Sequence, residues 1–111
     1  MSDFEELQIE LREFAVARDW LQFHNPKNLA MAIASEAGEL LAEFRWLTAD
    51  ESTPERLSPE RQSAIRLEMA DVLIFLIRMS DVLKFDLPTT VREKIKMNIE
   101  RFPVAGSSDN K

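Results

Sequence analysis

The run Leu67-Glu68-Met69-Ala70-Asp71-Val72-Leu73-Ile74-Phe75-Leu76 decides how the rest of the chain is read. It is apolar almost all round, continues mainly apolar to Met79, and yet carries two acids three residues apart. No alternation of the strand kind runs through it. A Ser58-Pro59 pair upstream has the form of an N-cap followed by a proline at the first helical position. The spacing predicts one long helix from there to about Lys84, the most buried of the chain because its middle has no polar face.

The flanking segments carry the same signals. Ser2 and Glu5 have the spacing of a capping box, and Phe4, Leu7, Leu11 and Phe14 form one apolar stripe behind it. The pattern fades around Arg18-Asp19-Trp20. Asn25-Pro26 opens a second helix expected to run to about Leu47, with Leu29, Ile33, Ala37, Leu40 and Phe44 facing the core. The polar stretch from Thr48 to Ser58 reads as the main loop. Leu87-Pro88 opens a fourth helix through about Phe102, with Val91, Ile95, Ile99 and Phe102 on one side. The expected fold is all-α, a four-helix bundle-like domain over residues 1–105, followed by a mobile polar tail over residues 106–111.

Composition narrows the function classes. The chain has 111 residues, enough for one domain, and its 20 acids against 14 bases give a formal charge of −6. That balance argues against a nucleic-acid partner needing a basic face. The chain has no cysteine and a single histidine, which excludes disulfides, thiolate sites and His-rich metal clusters. Its longest apolar run is too short to cross a bilayer, and the acidic N-terminus has no signal-peptide character. A cytoplasmic protein with no membrane partner is expected.

Four acids stand out. Glu36 and Glu39 lie three apart on the second helix, Glu68 and Asp71 three apart on the third. Such residues share a helix face, about 60° apart around the axis. An isolated pair of this kind is usually solvated surface. Here Glu36 borders Ile33 and Leu40, Glu68 and Asp71 border Ile65, Val72 and Leu76, and none of the four has a Lys or Arg three or four residues away. Carboxylates crowded beside a core without partners are costly unless some stay protonated or a cation sits among them. Oxygen donors with no histidine or cysteine suit Mg²⁺, or Mn²⁺ in its place, and magnesium's usual company is phosphate.

The surroundings offer parts for a nucleotide. Trp46 follows Glu39 by seven residues, Phe75 follows Asp71 by four, and Trp20 stands in the break after the first helix. All three are candidate stacking surfaces, although core or interface packing explains each of them as well. Lys94, Asn98 and Arg101 make a polar stripe that would supply donors to triphosphate oxygens if brought near the acids. Lys27 and Asn28, at the positive end of the second helix, are further candidates. His24 is read as a loop anchor rather than a base.

These residues resemble the MazG-like all-α nucleoside triphosphate pyrophosphohydrolases, and within them the dCTP pyrophosphatase branch and small bacterial integron-associated MazG-like proteins. The resemblance is carried by Glu13 to Leu29, Glu36 to Leu40, Phe44-Arg45-Trp46, Asp71 to Leu76, Asp86-Leu87-Pro88 and Lys94 to Pro103. It implies hydrolysis of dCTP or a broader dNTP set to monophosphate and pyrophosphate, serving nucleotide-pool housecleaning. It also implies Mg²⁺ on Glu36, Glu39, Glu68 and Asp71, a base pocket formed with Trp20 and Trp46, and phosphate or sugar contacts from Lys94, Asn98 and Arg101. A homo-oligomer, dimer or tetramer, with sites shared between subunits is implied as well. Leu11 and Phe75 stand where the vertebrate branch has a histidine and a tyrosine, which is why a broader dNTP range enters the expectation. Two rivals remain open at this point: a non-enzymatic helical interaction module, and an enzyme of the same fold acting on another pyrophosphate-containing nucleotide.

Overall fold

Each helix begins where its cap chemistry dictates. Ser2 accepts from the Glu5 amide, Asn25 from Asn28, Ser58 from Arg61 and Asp86 from Thr89, each satisfying an amide that the first turn leaves without a partner. The helices that follow are α1 (Asp3–Ala17), α2 (Pro26–Ala42), α3 (Pro59–Leu83) and α4 (Leu87–Arg101), with 3₁₀ turns at Leu21–Phe23 and Asp50–Ser52. The computed structural model describes residues 1–105, and the expected tail over residues 106–111 lies outside them. The described residues are all-helical, without a strand.

The long apolar α3 is the spine. α2 packs along it, α1 packs along it less extensively, and α4 makes at most sparse contact with the other three helices. The core is correspondingly thin. Among described apolar residues only Ala15, Leu29 and Ile77 are buried. Of the stripe expected to face the core on α1, Leu7 and Phe14 are exposed, and on α2 only Leu29 is fully covered. On α3, Ile77, Arg78 and Ser80 are buried, but Leu67, Met69 and Leu73 face outward, so the expected all-round burial holds only toward its C-terminal end.

α2 ends about five residues before the expected Leu47. Arg61 of α3 donates from Nη1 to the Glu43 carbonyl at 2.6 Å, taking the acceptor that a further helical turn would need. The chain tightens instead into three-residue hydrogen bonds, Glu43 to Leu40, Phe44 to Leu41 and Leu47 to Phe44. Trp46 therefore leaves the helix face on which seven-residue spacing had placed it, and it is 83% exposed.

At the other end of the bundle two non-glycine residues adopt left-handed backbone, Asp19 (φ 56°) after α1 and Lys84 (φ 60°) after α3. Both close helix ends. The Trp20 amide returns to the Ala15 carbonyl at 2.9 Å, and the Phe85 amide to Ser80 at 3.1 Å.

Candidate active site

The α2–α3 contact decides where the acids meet. Glu36 on α2 and Glu68 and Asp71 on α3 are half-buried, and each offers a carboxylate oxygen within 4.8 Å of the others. Glu68 Oε2 is the one buried side-chain polar atom without a hydrogen-bond partner among the described residues. Burial raises the Glu68 carboxyl above its ordinary range, and the charges of Asp71, Glu36, Glu39 and Glu43 push the same way. A buried, unpartnered oxygen facing two further carboxylates is a poor arrangement for a bare protein and a suitable one for a hard divalent cation.

Glu39 lies one turn further along α2, exposed and outside the three-residue cluster, but near enough to act on Glu68. Glu43, which sequence reading did not single out, also bears on Glu68; its own charge is partly answered by Arg61 Nη1 at 3.4 Å.

Asp71 faces two ways. It also lines a cavity of about 350 Å³ whose walls include Leu11, Phe14, Trp20, Phe75 and Ile74. Trp20 is held there by the left-handed turn at Asp19 and by an edge-on contact with Phe14, ring centres 5.6 Å apart at 67°. An apolar, aromatic-walled pocket thus shares a carboxylate with the acidic cluster. A flat heteroaromatic ring in the pocket would place what is attached to it beside the cation site.

Besides Asp71 at the cluster end, the charged or ionisable side chains lining the pocket are His24 and Arg78. Arg78, 3% exposed, donates from Nε to His24 Nδ1 at 3.1 Å and from Nη1 to Asp81 Oδ2 at 2.8 Å. Asp81 is clamped in turn by Arg12, from Nε at 2.9 Å and Nη2 at 2.6 Å. Burial and the Arg78 charge hold His24 below its ordinary 6.5, so its ring is neutral at pH 7 and accepts at Nδ1. His24 is an anchor, as its place in the sequence suggested. Neither Arg78 nor the Arg12–Asp81 pair was singled out in the sequence. Arg78 and Asp81 did offer a signal, opposite charges three apart in the mainly apolar C-terminal half of α3.

The remaining candidates lie apart from this constellation. Lys27 and Asn28 are exposed in the first turn of α2, and Asn28 uses its side-chain amide to bind the Phe23 carbonyl at 3.0 Å. Lys94, Asn98 and Arg101 come together on α4 around a shallow cavity of about 400 Å³, and no α4 residue lines the aromatic pocket or joins the acidic cluster.

Comparison with known proteins places this arrangement. Residues 31–111 match the sequence profile of the MazG-like family. The chain is 43% identical over 101 residues to dCTP pyrophosphatase 1 of Homo sapiens and 41% identical over 92 residues to that of Bos taurus. These matches take in 89% and 83% of the chain, but the chain spans only 59% and 54% of those relatives' lengths. A crystal structure of a pyrophosphatase from Archaeoglobus fulgidus superposes with a TM-score of 0.85 at 38% identity, covering 94% of this chain and 95% of that one. The helices, the paired acids on α2 and α3 and the likeness along nearly the whole chain lead to one assignment: the chain belongs to the MazG-like family.

Proposed function

We propose that this protein is a cytoplasmic nucleoside triphosphate pyrophosphohydrolase, hydrolysing dCTP or a broader dNTP set to monophosphate and pyrophosphate and so removing unwanted nucleotides from the pool. The observation that carries this reading is Asp71, shared between a carboxylate cluster with an unpartnered buried oxygen and an aromatic-walled pocket.

Glu36, Glu68 and Asp71 would hold a divalent cation, and their all-oxygen donor set fits Mg²⁺, with Mn²⁺ as a substitute. When bound, the ion offsets triphosphate charge and lowers the pKa of water. The chain's own residues supply the rest. Trp20 and Phe75 flank the base, and the half-buried Asp71 fixes the register between base and phosphates. Glu39, exposed beside the cluster, is placed to orient the attacking water and accept its proton. Lys94, Asn98 and Arg101 donate to phosphate or sugar oxygens, and Lys27 and Asn28 are further contacts at the α2 N-terminus.

Lys94, Asn98 and Arg101 stand on a helix that its own protomer holds only sparsely, so the reading includes a homo-oligomer, dimer or tetramer, whose neighbouring subunit brings α4 and Trp46 to the site. Its support is the exposure of Val91, Ile95, Ile99 and Phe102 along α4 and of Trp46 beyond α2. An apolar cavity of about 370 Å³ between α1 and α3, lined by Leu7, Phe14 and Leu73, adds a receiving surface.

The test is incubation with a panel of dNTPs with and without Mg²⁺, measuring monophosphate and pyrophosphate. Metal-dependent pyrophosphate release, lost in Glu39→Gln and Asp71→Asn with helicity unchanged, is the expected result. No pyrophosphate from any dNTP, or undiminished turnover in both variants, overturns the reading.

A further inference from the structure

The polar wall of the aromatic pocket is more ordered than a pocket-filling role requires. Asp81 takes hydrogen bonds from Arg12 Nε, Arg12 Nη2 and Arg78 Nη1, which fixes the plane of a buried guanidinium. Arg78 Nε is spent on His24 Nδ1. Arg78 Nη2 makes no hydrogen bond among the described residues, although Arg78 is 97% buried and lines the pocket, as His24 does. Because His24 accepts at Nδ1, its neutral ring carries the proton at Nε2. The pocket wall therefore presents two kinds of donor, while its one carboxylate, Asp71, belongs to the acidic cluster. Arg78 Nη2 is not a buried orphan and so keeps access to solvent; a ligand entering the pocket displaces that water and must offer an acceptor in its place.

We propose that Arg78 and His24 read the base, donating from Arg78 Nη2 and His24 Nε2 to an edge that presents two neighbouring acceptors, O2 and N3 of cytosine. This rests on the hydrolase reading above for its substrate and adds the residues that select it. Adenine sets an amino group beside its ring acceptor, and thymine sets N3–H between its carbonyls, so each turns a donor toward a donor. Guanine matches the pair through O6 and N7, so the pair selects against adenine and thymine and leaves guanine to be excluded by ring size. The geometry along α3 suits the assignment. Arg78 follows Asp71 by seven residues, about 10.5 Å along the helix at 1.5 Å per residue, which separates the base edge from the phosphate end. Arg12 and Asp81 are positioning residues that hold Arg78 and do not themselves line the pocket.

The experiment compares kcat/KM for dCTP, dTTP, dGTP and dATP in the wild type, Arg78→Leu, Arg78→Lys and His24→Ala, with Mg²⁺ present. The ratio of dCTP to dATP should fall by about ten- to hundredfold in Arg78→Leu, through KM more than kcat. Arg78→Lys keeps a charge for Asp81 but not the fork, so it should lose the preference while keeping the fold. Should Arg78→Leu fail to fold, Arg78→Lys and His24→Ala carry the test. Calorimetric titration with dCMP and dAMP in EDTA separates the two levels of the reading. Wild type that turns over no dNTP overturns the hydrolase, and dCMP binding that weakens in Arg78→Lys still upholds the base-reading pair. Wild type that prefers dATP or dTTP, or variants that keep both the dCTP preference and the dCMP affinity, overturn the assignment of Arg78 and His24.

Discussion

Glu68 concentrates the electrostatic strain of the site in one side chain. Its Oε2 is buried without a partner, and its carboxyl is raised by burial and by neighbouring acids. Glu68→Gln removes a charge that the metal-free protein holds at a cost, so this variant should melt at a higher temperature than the wild type at pH 7 in EDTA. Mg²⁺ is expected to raise the melting temperature of the wild type, and Glu68→Gln should lose that rise. Calorimetry with and without the ion reads both effects. Asp81 is the opposite case. The Arg12 hydrogen bonds, and then Arg78, hold its carboxyl below the ordinary 3.8. A carboxyl lowered on folding contributes stability above its unfolded pKa and loses it as pH falls through the folded value, here below about pH 4. Asp81→Asn should cost about 3 kcal/mol at pH 7, because it strands the buried Arg78, and should flatten the acid limb of a stability curve measured from pH 2.5 to 7. That Glu68 and Asp71 share a face was legible in the sequence because helical spacing reports neighbours three and four apart. That Glu36 meets them from α2 while Glu39 stays outside the cluster is set by helix packing that no local period encodes. Arg12 was not legible either, since it meets Asp81 across 69 residues of chain.

At the scale of the element, caps carried the reading. Asn25-Pro26, Ser58-Pro59 and Asp86 before Pro88 start their helices where the side-chain chemistry says they must. The end of α2 escaped because its stop signal is a tertiary one, Arg61 reaching back from another helix to the Glu43 carbonyl. The end of α3 is closed by Lys84 in the left-handed region, where an L side chain is strained and glycine is not. Lys84→Gly should therefore stabilise the protein by about 0.5–1 kcal/mol, seen as a rise of a few degrees in the thermal midpoint, with the α3–α4 turn intact by circular dichroism.

The described residues form an expanded body for their number. Its radius of gyration is 17.9 Å, against about 13 Å for a compact chain of this size, and its longest dimension is 54 Å. The apolar patterning that identified four helices could not say which apolar face meets its own chain and which meets another, since both obey the same period. α4 shows this. Its stripe of Val91, Ile95 and Ile99 is regular in sequence and stays exposed in the protomer. Ile95→Glu should convert the proposed oligomer to protomers in size-exclusion chromatography with light scattering and lower turnover more than about tenfold, while leaving most helicity in place. If the wild type itself runs as a 12.8 kDa species, the shared site fails. On the proposed reading, a helix so sparsely held by its own subunit also makes catalysis a matter of abundance. Where the phosphate grip arrives only with a neighbour, scarcity disarms each copy, and specific activity should sag on dilution past the assembly constant and recover on reconcentration.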